Sequence, residues 1–259
     1  MSVAVNPLQR ALIEKTGHDN GFEHVLPSAG DAVTLASARH RSHAMVAPLT
    51  SDFEVRFQPA SPALVPELLR SFKLWSDGDG VFRVPTLADL ATLLRRAASL
   101  SQALPNQAVR DYHTAVAQVL ADLPAENRGT EVERLVRQRV GQDRYRDALL
   151  NYWGGACAVT GVAVTEALRA SHAKPWAECT DDAEQLDAFN GFLLVANLDA
   201  LFDRFLISFD DAGHLLISAR LSQGDLHGLG IHLGMTLRWL ASEHRHYLQW
   251  HRERFLLGA

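Results

Sequence analysis

The spacing of hydrophobic and polar positions changes several times along this chain, and the changes mark out its elements. Residues 7–16 (PLQRALIEKT) predict a short helix, with Pro7 near its start and Gly17 and Gly21 breaking it. From Phe22 to Gln58 the pattern shortens to β-type runs, Val33–Leu35, Ala44–Val46 and Phe53–Phe57, separated by Pro, Ser, Gly and Asp. In the last run Phe53, Val55 and Phe57 alternate with Glu54 and Arg56, which puts the apolar residues on one face. Leu64–Trp75 predicts a short helix and Ser76–Gly80 a turn. Thr86 is the expected N-cap of a helix running to about Gln102, with Leu87, Leu90, Ala91, Leu94 and Ala98 as its apolar stripe. Pro105 ends that helix, and Asn106 caps another that runs to about Leu123.

Pro124–Thr130 (PAENRGT) is the strongest linker signal, so the domain boundary is expected there. It separates an N-terminal region, 1–128, β-rich over 20–60 and helical over 62–123, from a C-terminal region, 129–259. Glu131–Tyr152 predicts a long helix, interrupted or bent near Gly141 and rich in arginine: Arg134, Arg137, Arg139, Arg144 and Arg146. Short strands follow, then a helix carrying Asp199 and Asp203. A hairpin with its turn at Asp210–Gly213 comes next, and a final helix spans about Met235–Phe255. The fold class expected is α+β.

Composition narrows the classes of function. A formal net charge of -5 argues against coating nucleic acid by bulk electrostatics, but leaves room for a local basic face. Cys157 and Cys179 are too few for a disulfide framework or a zinc cluster, which fits a reduced, cytoplasmic setting. No apolar run approaches the roughly 18 residues of a membrane span, and Met1–Lys15 lacks a signal pattern. No membrane partner is expected.

The chemistry concentrates in His172, Asn190, Asp199 and Asp203. A neutral imidazole can activate water at physiological pH. Its second ring nitrogen then needs an acceptor, for which a carbonyl of the following loop is the natural candidate, and an asparagine can hold such a loop in shape. Asp199 and Asp203 stand at i, i+4 and project from one helical face, while Leu198, Leu201, Phe202 and Phe205 form the stripe that packs that helix down. Hard oxygen ligands of this kind suit Mg²⁺ or Mn²⁺. Each element has an ordinary reading: a surface histidine, a turn at Asn190-Gly191, a solvated acidic face.

Order and spacing argue otherwise. Cys157-Ala158-Val159-Thr160-Gly161, Ser171-His172-Ala173-Lys174-Pro175-Trp176 and Asn190-Gly191-Phe192-Leu193-Leu194 through Leu198-Asp199-Ala200-Leu201-Phe202-Asp203 together resemble the HNH, or ββα-metal, nuclease family, specifically a bacterial restriction-type branch. The resemblance covers about residues 135–220 and implies a C-terminal ββα-metal domain flanked by helices. By position it makes His172 the general base, Asn190 the residue that braces the loop, and Asp199 and Asp203 the ligands of one divalent cation, Mg²⁺ or Mn²⁺. Ser171 stands where many relatives place a third ligand, and Asn197 where some have histidine. Cys157 lacks the companion cysteines of zinc-stapled relatives, so no structural zinc is expected. Arg139, Gln142, Arg146 and Lys174 are the candidate nucleic-acid-binding residues, against the alternative of a solvated charged helix face.

The function expected from this resemblance is metal-dependent hydrolysis of double-stranded DNA by a restriction or defence enzyme. The N-terminal region would be a recognition or regulatory unit, by analogy with enzymes that read modified DNA, and Arg39, His40, Arg41 and His43 form a candidate phosphate-facing cluster there. Phe22, Phe53 and Phe57 fit a core better than a base-binding cage. A double-strand break needs two cuts, so a homodimer is expected. The alternatives are a DNA-binding protein with a degenerate HNH site, and an RNA-cutting or toxin-like nuclease.

Overall fold

A computed structural model describes residues 6–27, 31–76, 78–124 and 129–257. The chain divides into two units, Met1–Gln107 and Ala108–Ala259. Segment 124–130, expected as the linker, therefore lies within the second unit, and its residues 125–128 fall outside the described residues.

The first unit is a five-stranded antiparallel meander in the order β1 (His24–Leu26), β2 (Val33–Ala36), β3 (His43–Pro48), β4 (Phe53–Gln58) and β5 (Val81–Val84). Its register aligns Val33, Val46, Val55 and Phe82 across four strands, and all four side chains are fully buried. This row is the buried face that the alternation in the sequence predicts. Helices α1 (Pro7–Asp19), α2 (Leu64–Ser71) and α3 (Leu87–Ala103) complete the unit, with α1 and α2 against α3. Thr86 caps α3 by accepting from the Asp89 backbone N–H at 3.1 Å, and Leu90, Leu93, Leu94, Ala97 and Ala98 are its buried stripe. Strand β5 escaped the pattern because it is only four residues long, set between the turn that ends at Gly80 and the Thr86 cap. His40 is a correction to the expected phosphate-facing cluster. It is buried edge-on against Phe22, with ring centroids 4.9 Å apart, and burial lowers its pKa. Arg39, in turn, pairs with Glu23 at 3.2 Å.

The second unit opens with α4 (Gln107–Asp122) and α5 (Thr130–Trp153). A two-stranded sheet, β6 (Leu168–His172) with β7 (Gly191–Val195), is separated by a long loop holding the short α6 (Asp182–Gln185). Helix α7 (Ala196–Phe202) follows β7 directly, then the hairpin β8 (Ile207–Phe209) and β9 (Leu215–Ile217), α8 (Gln223–Gly228) and α9 (Arg245–Leu257). Phe192, Phe202, Phe209, Trp153 and His244 are buried together as an aromatic core. The arrangement is the mixed helix and strand fold expected, with a ββα corner formed by β6, β7 and α7.

Two expectations are corrected here. The C-terminal helix begins at Arg245, not Met235, because residues 235–237 run beside the hairpin: Leu215 N–H donates to the Met235 carbonyl at 3.0 Å and Leu237 N–H to that of Gly213 at 2.8 Å. Extended pairing outcompetes a helix that local propensity alone would allow. Helix α5 is also continuous through Gly141. That glycine is buried under the Trp176 indole, and a methyl group there would overlap the far edge of the ring. Gly191 has the same kind of role, since a side chain would collide with the Ser171 carbonyl and the Tyr145 hydroxyl.

Gly→Ala inside a helix ordinarily stabilises by about 1 kcal/mol. Gly141→Ala is expected to reverse that sign and destabilise by roughly 1–3 kcal/mol through overpacking. The combined Gly141→Ala/Trp176→Ala variant is expected to recover the helix-propensity gain relative to Trp176→Ala alone. Urea melts of the four proteins decide it, and a stabilised single Gly141→Ala variant would contradict the packing assignment.

Candidate active site at the ββα corner

His172 is the last residue of β6 and pairs with Gly191, the first of β7. Its Nε2–H donates to the Gln185 backbone carbonyl at 2.9 Å. A carbonyl can only accept, so in the neutral ring the proton sits on Nε2 and Nδ1 keeps its lone pair. Beneath the imidazole lies Tyr145 of α5, stacked at 3.7 Å between centroids and 14° between planes. Trp176 approaches edge-on at 5.9 Å. Burial lowers the His172 pKa to about 4, outweighing the carbonyl bond that raises it, so the ring is neutral at physiological pH. A neutral, oriented imidazole is the form that can take a proton from water.

Asn190, fully buried, spans the base of the loop between the strands. Its Oδ1 accepts from Lys174 N–H at 2.8 Å, and its Nδ2 donates to the carbonyls of Lys174 and Glu184, both at 3.1 Å. The Glu184 carbonyl precedes that of Gln185, so the amide holds in place the acceptor that orients His172. Tyr145 reinforces this: its hydroxyl donates to the Asn190 carbonyl at 3.0 Å.

Asp199 lies in the first turn of α7, and Asp203, one turn further on, is its C-cap. The Ser171 hydroxyl donates a short hydrogen bond to Asp199 Oδ1. Asp203 instead lines an open cavity of about 370 Å³ shared with His172, Trp176, Arg204, Phe205 and His251. Although the residue keeps solvent contact, desolvation of its carboxyl and then the Asp199 charge push its pKa up to about 6, against the pull of Arg204. A carboxylate whose ionised form is disfavoured by burial and a neighbouring carboxylate gains from a hard divalent cation placed beside it. Among the described residues, no group of three or more His, Cys, Asp or Glu side chains converges to hold a metal. Asn197 donates its amide to the Leu229 carbonyl at 2.7 Å, and Cys157 Sγ accepts from the backbone of Val159 and Thr160 at 3.5 and 3.4 Å.

The candidate nucleic-acid-binding residues separate. Arg139 and Gln142 are exposed on α5. Arg146 donates to the Leu168 carbonyl at 2.9 Å and to that of Thr165 at 3.1 Å, which ties α5 to the start of β6. Lys174 is ion-paired to Glu184 at 2.7 Å inside the loop. Tyr145, Arg204 and His251 were not singled out from the sequence, and Phe205, expected in the packing stripe of α7, lies beyond the end of that helix and lines the cavity instead. His251, on α9, donates from Nε2 to the Phe202 carbonyl at 2.9 Å and accepts at Nδ1 from Ser208 at 2.9 Å. In the first unit, the outer sheet face holds a separate polar cleft of about 290 Å³ lined by Glu54, Arg56, Trp75, Asp79 and Arg83.

A histidine at the end of β6 thus shares a cavity with a carboxylate that caps the helix following the partner strand. Residues 157–210 match the family described as HNH endonuclease, so the chain carries an HNH nuclease domain. That segment runs from Cys157 to the turn of the β8–β9 hairpin, leaving Tyr145 and His251 outside it. No curated protein matches the chain. Among the described residues no helix is long and apolar enough to cross a membrane.

His172 and His251 both have pKa values near 4 in the fold, each lowered first by burial. The ordinary value is about 6.5, so below that pH the unfolded chain binds more protons and stability falls, until about pH 4. Asp203, raised to about 6, works in the opposite sense over part of this window. Urea unfolding in chelator should show a net loss of roughly 2–4 kcal/mol between about pH 7.5 and pH 4.5. His251→Gln is expected to shrink the loss, and an unchanged pH dependence in that variant would rule out its share.

Proposed function

We propose that the chain is a divalent-metal-dependent endonuclease that hydrolyses double-stranded DNA, working in restriction or defence. The observation that carries the reading is the neutral His172, oriented by the Gln185 carbonyl and sharing one cavity with Asp203. In this reading His172 Nδ1 accepts a proton from water as the water oxygen attacks phosphorus and the bond to the 3′ oxygen breaks. Asn190 and Tyr145 keep the imidazole aimed during that transfer. Asp199 and Asp203 would hold one cation, Mg²⁺ or Mn²⁺, which supplies positive charge to the phosphate and leaving oxygens when bound. Ser171 is a weak substitute for a third ligand, and its hydroxyl is already committed to Asp199.

The first unit is the proposed selector of substrate, and the cleft beside Trp75, Arg56 and Arg83 supports assigning recognition to it, including recognition of modified DNA. One catalytic corner per chain makes a homodimer the natural way to cut both strands. A second reading, a DNA-binding protein with a degenerate site, is favoured by the Ser171–Asp199 bond and the two-carboxylate donor set.

Purified protein with Mg²⁺ or Mn²⁺ is expected to nick and linearise plasmid DNA, and to stop in chelator. His172→Ala should lower the rate by at least roughly 10²-fold, the ordinary share of a general base, without lowering Tm by more than a few degrees. Full activity in His172→Ala would overturn the mechanism. Calorimetric metal binding that Asp199→Ala abolishes separates the active enzyme from the degenerate site. Matched duplex DNA, modified DNA and RNA substrates identify the target, with preferential cutting of RNA counting against the DNA assignment.

A further inference from the structure

The arginines that stand out in the sequence are largely committed within the fold. Arg134 pairs with Glu131 at 2.7 Å, Arg137 with Glu133 at 2.8 Å, and Arg146 binds backbone carbonyls. Lys174 is held by Glu184. With a net charge of -5 and two carboxylates at the candidate site, a phosphate meets a repulsive field unless positive charge is supplied locally. A single divalent cation would do no more than offset those two carboxylates.

Arg204 lies where the missing charge is required. It is exposed, lines the same cavity as His172 and Asp203, and among the described residues has no hydrogen bond or ion pair of its own. The chain is turned there by a left-handed Phe205, at φ 55°, with Leu206 N–H donating to the Leu201 carbonyl and Phe205 N–H to that of Phe202, both at 2.9 Å. A non-glycine residue in that conformation is strained, and such turns persist where surrounding structure holds them. Here Phe205 is held by the His251 ring, 4.8 Å away. The turn thus sets a guanidinium and the Phe205 ring at an opening that Trp176, from the loop after β6, also lines.

Resting on the nuclease reading, we infer that Arg204 grips the phosphodiester that is cut. Its guanidinium donates to a non-bridging oxygen of the phosphate attacked by the water that His172 deprotonates, and the adjoining nucleoside lies against Phe205 and Trp176. The water oxygen bonds to phosphorus, the bond to the 3′ oxygen breaks, and the leaving oxygen is protonated from solvent. Arg204 keeps its protons throughout and stabilises the charge that builds on phosphorus-bound oxygen.

The test has a binding arm and a cleavage arm. Fluorescence anisotropy with a labelled duplex DNA, in chelator, compares His172→Ala with His172→Ala/Arg204→Ala over a series of salt concentrations. The slope of log Kd against log salt is expected to shrink by about one on losing Arg204. Arg134→Ala, which removes an equal charge from α5, is expected to leave the slope unchanged; an equal drop there would reduce the effect to bulk charge and overturn the proposal. With His172 intact and metal present, Arg204→Ala is expected to lower kcat by roughly 10²–10³-fold, and Arg204→Lys to restore the salt slope more fully than the rate. An unchanged slope or an unchanged rate in Arg204→Ala overturns the assignment. Failure of the unmodified protein to cut any duplex sinks the nuclease reading instead, and the slope comparison still decides whether Arg204 contacts phosphate.

Discussion

The ββα corner depends on one buried amide. Asn190 satisfies the backbone at Lys174 and Glu184 simultaneously, and so closes an irregular loop that has little regular structure to hold it. The carbonyl that sets the tautomer of His172 belongs to the next residue along, Gln185. Remove the amide and buried N–H and C=O groups lose their partners, each at about 1–3 kcal/mol, while the imidazole loses its aim. Stability and chemistry are therefore coupled at this point: the same bonds that keep the loop folded also decide which ring nitrogen carries the lone pair.

Much of this corner was legible in the sequence because its residues act through local spacing. His172 at a strand end, Asn190 at the next strand's start, and carboxylates at i, i+4 on the helix beyond are all set by near neighbours. The apolar alternation of β2 to β4 and the stripe of α3 were legible for the same reason. What lay hidden comes from contacts distant along the chain. Nothing local distinguishes Tyr145 from other core aromatics of a helix, yet it stacks on His172. Gly141 read as a weak point of a helix because the partner that explains it, Trp176, lies in another segment. The start of α9 was misplaced because the backbone pairing of residues 235–237 with the hairpin has no signature in helical periodicity.

Charge was the least legible property. A helix dense in arginine suggests a surface for phosphate, but composition does not reveal what each guanidinium already touches. Glu131, Glu133 and two backbone carbonyls account for much of that density. Exposed ion pairs of this sort add little stability, typically below about 1 kcal/mol, but they do lower the charge presented to a polyanion. Arg204, by contrast, belongs to no cluster and stands out only once the cavity is seen.

The family segment ends before α9 and begins after Tyr145, yet rings from both sides border His172 or the cavity it lines. A protein engineer who grafted only that segment onto a new carrier would transplant the reactive groups without their floor or back wall. The portable unit built around this corner is accordingly larger than its motif: it has to begin with the arginine-rich helix and keep the final one.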